Sequence, residues 1–196
     1  PAAAQYRQRR SPGRAGRFAI VAAMRNQRSA MPDDESGDMM AGIGVIGTRG
    51  TIKSRAYEKE IAHLDPKIKV TAVCCPLFVP FAEEGWLSGE VVEDVAEVYL
   101  KPLKKAGVDT VILGCTHYPL LKPVIQQAMG KGVTLIDSAK QVAVEVKKIL
   151  ANEGLTGKAQ KGRQKFFVSD NPEWFSELAG RFLGRPVSNV GKVNSI

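Results

Sequence analysis

Four short, largely apolar runs recur along the chain: IGVIG (43–47), KVTAVC (69–74), VDTVILG (108–114) and VTLID (133–137). Helix-length segments separate them. A strand that is apolar at nearly every position, rather than every second one, has to be covered on both faces. The intervening segments supply that cover. Ile52, Tyr57, Ile61 and Leu64 fall at helical spacing in 51–64, as do Val91, Val95, Val98 and Tyr99 in 88–104. This alternation predicts an α/β fold, a parallel sheet flanked by helices. Ser88 is the expected cap of the second helix, Glu90 and Glu93 occupy its dipole-favoured first turn, and Pro102 is expected to kink or end it. A further helix is expected over 119–129, opened by proline, and another from a Ser138 cap through 151, apolar at Val142, Val146, Ile149 and Leu150. After a Gly/Lys/Gln-rich link (154–164) come a strand at 166–169, a helix at 171–183 capped by Asp170 or Asn171, and a strand at 186–190.

With 196 residues the chain can bury one ordinary domain or two small ones. No stretch reaches the ~20 apolar residues of a membrane helix. The opening PAAAQYRQRRSPGR lacks the apolar centre of a secretory signal, so a cytoplasmic location is expected. The cysteines, Cys74, Cys75 and Cys115, are odd in number and two are adjacent, which suits reduced thiols and not a disulfide framework. The net charge of +8 invites a nucleic-acid partner. The arginines responsible (Arg7, Arg9, Arg10, Arg14, Arg17, Arg25, Arg28) cluster before residue 42, and the rest of the chain has no basic stripe interleaved with aromatics. Nucleic acid is therefore not the expected partner, although salt-dependent binding through that segment is the rival reading from another functional class.

Residues 1–42 differ in character from the rest of the chain. Periodicity is weak, Gly and Pro are scattered, and Asp33, Asp34 and Glu35 form an acidic cluster. AGRFAIVAAM could make one short strand or helix; the expectation for the segment is a disordered tail.

In parallel sheets ligands bind beyond the carboxyl ends of the strands. After IGVIG stands Thr48-Arg49-Gly50-Thr51, small and hydroxylated, leading into a helix start that suits an anion or is an ordinary cap. After KVTAVC stands CPLFVPFAEEGW (75–86), read as a rigid apolar loop with Glu83 or Glu84 either turned inward or solvated. After VDTVILG stands Cys115-Thr116-His117-Tyr118-Pro119. Near-extended geometry would aim Cys115 and His117 at one small volume. A helix start and an imidazole both favour a thiolate there. Three readings stay open on the residues alone: a catalytic thiol, a small buried hydrophobe, or a metal ligand. Against the last, Cys-x-His is not a standard zinc spacing and a fourth ligand is missing, so no metal is expected.

Taken together, IGVIGTRGTIKSRAY, CPLFVPFAEEGW, YLKPLKKAGVDTVILGCTHYPLL and VTLIDSA resemble glutamate racemase, in the cofactor-independent aspartate/glutamate racemase superfamily. FFVSDNPEWFSELAGRFLG fits the family's ending, and the resemblance covers residues 43 to about 193. It implies interconversion of L- and D-glutamate without pyridoxal phosphate or other cofactor, supplying D-glutamate for peptidoglycan. Two cysteines flank the substrate Cα, one thiolate removing the proton and the other thiol returning one to the opposite face. The resemblance makes Cys115 the second of these, with His117 assisting proton transfer, Thr116 contacting substrate, and Thr48, Thr51 and Glu83 lining the pocket. A relative acting on aspartate is the neighbouring reading. The family is often dimeric, which makes a homodimer an expectation.

The family's opening Asp-Ser-Gly loop and its Cys-Asn-Thr-Ala-Ser stretch have no counterpart here. The resemblance thus implies a middle racemase domain (43–134) and the C-terminal portion of another domain (135–196) whose first strands are missing. Gln5-Tyr6-Arg7-Gln8-Arg9 could be encoded CAA TAC CGC CAG CGC, which one base later reads Asn-Thr-Ala-Ser. Residues 1 to about 42 are therefore expected to be a frame-shifted stretch, and the chain a poorly active racemase; the nucleotide sequence across residue 42 decides this.

Overall fold

The structure is a computed structural model, and it describes Ile20, residues 42–157 and residues 164–193. The expectations for residues 1–42, tail or frame-shift, lie outside the described residues apart from Ile20 and Gly42.

Packing divides the chain into two units, Pro1–Ile149 and Leu150–Ile196. The first holds a four-stranded sheet of β1 (Ile43–Gly47), β2 (Val70–Cys74), β3 (Thr110–Leu113) and β4 (Thr134–Asp137), ordered β2-β1-β3-β4 and parallel throughout. The predicted parallel sheet flanked by helices is what forms. Alternate residues of each strand feed two separate cores. Ile43, Val45 and Ile112 point to one face, where they meet Tyr57 and Ile61 of helix α2 (Ala56–Leu64), together with Ile136 and the fully buried Ile20. Ile46, Val111 and Leu113 point to the other. There they meet Phe78 of α3 (Phe78–Glu84), Val92, Ala96, Leu100 and Leu103 of α4 (Glu90–Lys105), and Ile125 of α5 (Lys122–Met129). The strands read as continuous apolar runs because both of these cores have to be filled.

Several local expectations are corrected. The helix expected over 51–64 is two, α1 (Arg49–Ser54) and α2, broken at Arg55 with φ 53°. There Ser54 Oγ donates to the Thr51 carbonyl (2.7 Å) and accepts from the Ala56 N–H (3.2 Å), competing with the helical ladder. Residues 75–86, read as a loop, contain α3. Phe78 and Ala82 bury one face at i, i+4, Pro80 sits in the first turn, where an N–H would have no helical partner, and Gly85 closes the end at φ 76°. Helix α4 starts from Gly89, not from a Ser88 cap; the Glu93 carboxylate accepts the Gly89 N–H instead (3.4 Å). It runs past Pro102 to Lys105. The helix after β3 begins with a 3₁₀ turn (Tyr118–Leu121) ahead of α5.

At α6 (Ser138–Asn152) the cap is Asp137, whose Oδ1 accepts from Ala139 (2.9 Å) and Lys140 (3.3 Å). Ser138 Oγ donates instead to the Leu113 carbonyl at 3.3 Å. In the second unit β5 (Phe166–Val168) pairs in parallel with β6 (Val190–Lys192), later than the strand expected at 186–190. Between them α7 (Pro172–Leu183) is capped by Asn171, one of the two expected caps, through the N–H groups of Glu173 and Trp174. Among the described residues no helix is long and apolar enough to cross a membrane.

Candidate active site

The carboxyl ends of β1, β2 and β3 lie side by side. Gly47 is level with Cys74 and Ile46 with Leu113, and the ladder runs one residue further through Cys75 N–H to Gly47 O (2.9 Å) and Gly114 N–H to Ile46 O (2.8 Å). Parallel pairing therefore brings the segments after IGVIG, KVTAVC and VDTVILG to one edge. The approach at Gly114 is so close that a Cβ there would stand 2.7 Å from the Ile46 carbonyl oxygen, so only glycine fits just before Cys115.

Cys115 is half-buried, its side chain resting on the rim of the core that α3, α4 and α5 cover. His117 Nδ1 lies 3.9 Å from Cys115 Sγ, within reach of a long hydrogen bond to sulfur, and 3.4 Å from Thr116 Oγ1. On the other side of the ring, Nε2 is 3.2 Å from Glu83 Oε1. An ionised carboxylate only accepts, so Nε2 carries a proton, and in the neutral ring Nδ1 then presents its lone pair toward the thiol and the hydroxyl. Cys115 and His117 do converge, but through a turn closed by the Tyr118 N–H on the Cys115 carbonyl (3.3 Å), with His117 at φ −81° and ψ −27°, and not through the near-extended backbone expected. Of the two acidic candidates, Glu83 is the one that turns inward, and helix α3 is what aims it.

Thr48 caps α1, its Oγ1 taking the Thr51 N–H (3.4 Å) and meeting Thr51 Oγ1 at 3.1 Å. The cap reading of this loop is thereby realised. Thr51 packs over the end of β1, and its Cγ2 lies 3.5 Å from where a Cβ on Gly114 would be. Both threonines are thus half-buried close to the Cys115 turn. Thr116 is exposed.

The expectation of a favoured thiolate is corrected. Burial pushes the Cys115 thiol above its ordinary value and outweighs the backbone N–H groups of His117, Tyr118 and Thr116 that pull it down; the Glu83 carboxylate pushes it up further. Cys75 is fully buried, and desolvation pushes its thiol far up, with the charge of Cys74 adding to this. Among the described residues no three His, Cys, Asp or Glu side chains gather as a metal site would need.

Two tyrosines stand at this edge that the sequence did not single out as site residues. Burial chiefly pushes the Tyr57 hydroxyl up, with the Ser138 side chain pulling the other way. Tyr118, wholly buried, donates to the Cys75 carbonyl at 2.8 Å. An aromatic with a polar tip directly after a site motif is the signal that could have marked Tyr118.

The sequence profile of the Asp/Glu/hydantoin racemase family matches residues 34–146, more than half of the chain. The chain belongs to this family. Its curated relatives include the glutamate racemase of Geobacter metallireducens, 48% identical over 153 residues, which are 78% of this chain and 57% of that protein. Another is the glutamate racemase of Mycobacterium leprae, 49% identical over 150 residues, 76% of this chain and 55% of that protein. The chain thus spans less than two thirds of the length of the relatives it matches. Among solved structures of this racemase family, a glutamate racemase isoform from Bacillus anthracis superposes with a TM-score of 0.77 at 34% identity, over 92% of this chain and 63% of that one. The Francisella tularensis glutamate racemase, solved with D-glutamate, gives the same TM-score at 29% identity, over 92% of this chain and 62% of its own.

Proposed function

We propose that this chain supplies one of the two proton-transfer faces of a cofactor-independent glutamate racemase, with Cys115 as the sulfur that exchanges a proton with the substrate Cα. The arrangement of Cys115, His117 and Glu83 at the carboxyl end of β3, in a chain so similar to glutamate racemases, supports this reading best. In one direction the Cys115 thiolate takes the α-proton and becomes a thiol, while a thiol on the opposite face protonates the carbanion; the reverse direction exchanges the roles. The raised thiol fits the donor role directly. In the acceptor role, the cationic α-ammonium of the substrate would favour the thiolate, so substrate itself readies the base. His117 Nδ1 relays the thiol proton, Glu83 holds the ring, and Thr116, Thr48 and Thr51 offer hydroxyls to substrate.

In this reading residues from 43 onward form the middle domain and the C-terminal residues belong to another. The pairing of β4 with β3, and the packing of residues up to Ile149 in the first unit, favour a boundary later than 134. The peptidoglycan role, a cytoplasmic location and a homodimer belong to the same proposal.

The sequence holds only Cys74 and Cys75 besides Cys115, and neither lies across a cleft from it: Cys74 ends β2 and Cys75 follows it, two strands away from β3 in the same sheet. The 196-residue chain is therefore expected to bind glutamate and to racemise it little or not at all. The test is alkylation of Cys115 with and without D-glutamate, alongside α-proton exchange in D₂O. Protection of Cys115 by D-glutamate, lost on Thr116→Val, supports the reading. No protection overturns it, and brisk racemisation would show the thiol pair to be misassigned.

A further inference from the structure

The geometry points to Tyr118 as a positioning residue: its hydroxyl, held on the Cys75 carbonyl, sets where α3 presents Glu83 to His117, and so how the imidazole faces Cys115. This rests on the reading of Cys115 and His117 as the reacting pair.

Tyr118 is fully buried, where phenylalanine would fill the same space without a polar group to satisfy. Its hydroxyl instead reaches across 43 residues of sequence to Cys75 O at 2.8 Å. That same carbonyl accepts the N–H of Phe78, the first residue of α3, at 3.2 Å. The Tyr118 ring meets Phe78 edge-on, with centroids 5.4 Å apart and planes at 88°, and Phe78 in turn meets Tyr99 of α4 at 5.5 Å and 71°. The root of α3 is therefore clamped from two directions.

Glu83 lies five residues further along α3, about 7.5 Å at the helical rise, so a small tilt at the root moves its carboxylate. Its partner His117 precedes Tyr118 in the chain, and the Tyr118 N–H binds the Cys115 carbonyl (3.3 Å). Tyr118, Cys75, α3, Glu83 and His117 thus close a ring of bonds. Its two non-covalent links, 2.8 Å at the hydroxyl and 3.2 Å at the imidazole, are short enough to leave little slack. A purely packing role would need the ring but not the hydroxyl.

The experiment reads the His117 tautomer by long-range ¹H–¹⁵N NMR on the full chain, above the pH at which imidazoles are protonated. Only two histidines are present, and His63, whose Nδ1 contacts the Lys59 carbonyl at 2.7 Å, is the internal control. Wild-type His117 is expected to show the single Nε2–H form, and Glu83→Ala a mixture of both. Tyr118→Phe, which removes one oxygen, is expected to move His117 toward that mixture and leave His63 unchanged. An unaltered His117 pattern in Y118F overturns the proposal.

Should Y118F fail to fold, the reciprocal measurement decides. Coupling acts equally in both directions. Breaking the Glu83 link in E83A is therefore expected to speed hydrogen exchange of the Phe78 amide by about five-fold, the scale of one typical intramolecular hydrogen bond. An unchanged Phe78 rate overturns the proposal. Both readouts are made without substrate, so a failure of D-glutamate to protect Cys115 would remove the racemase reading and leave this result standing.

Discussion

In the unit Pro1–Ile149 four strands pair along four or five residues each, and their side chains fill two cores in which Ile43, Ile46, Ile112 and Leu113 are almost wholly hidden. In the unit Leu150–Ile196 two strands pair along three residues, and among the described residues only Ala179 and Val187 count as buried, while Phe167, Trp174, Phe182 and Leu183 stay exposed. Both units follow the same strand–helix–strand grammar. They differ in how much apolar surface they remove from water, and that quantity carries most of the stability of a fold. The candidate site sits wholly on the well-cored unit. A proton-transfer constellation needs atoms held to within about half an ångström, and a filled core beneath the strand ends provides that.

The contrast can be broken or sharpened in three ways. The largest effect is expected at Ile112, which is fully buried at the centre of the first sheet. Ile112→Ala should cost about 2–5 kcal/mol in chemical denaturation, and should also raise Cys115 alkylation as the strand end loosens. A loss below about 1 kcal/mol would mean that this core is no better filled than the second unit. A smaller effect is expected at Asn171, whose side chain holds the first turn of α7. Asn171→Ala should cost about 1 kcal/mol and speed amide exchange in α7 alone. A change spreading into β1 or β3 would show that the two units unfold as one.

The third effect is absent at neutral pH and grows above it. Burial raises Cys75 and Tyr118 in the folded state over ordinary values of 9.0 and 10.0. Above those values the unfolded chain releases protons that the folded chain keeps, so stability is complete below about pH 9 and falls as pH rises further. Tyr118→Phe should remove part of the alkaline slope. Urea midpoints that stay flat from about pH 8 to about pH 11 would mean that these groups are wetter than the structure shows.

Much of this arrangement is legible from the residues alone. The four strands of the first unit follow from apolar runs at nearly every position, and the parallel sheet follows from their alternation with helices. Cys115, His117, Thr48 and Thr51 emerge from reading the residues just beyond each strand. The failures share a cause. Residues 75–86 look like a loop because two prolines and an acidic pair disguise a seven-residue helix that Phe78 and Ala82 anchor in a distant core. Ser88 and Ser138 look like caps, but Glu93 and Asp137 offer better-placed acceptors. The low thiol value expected at Cys115 assumes solvent, and burial reverses it.

Sequence alone determined which residues stand at the strand ends and which chemistry they carry, because covalent neighbours and side-chain periodicity are local properties. Only the tertiary structure decided which glutamate meets the imidazole, which carbonyl receives the Tyr118 hydroxyl and how dry the thiol is. Those contacts join elements far apart in the chain, and solvation depends on everything packed around a group and not on its neighbours in sequence.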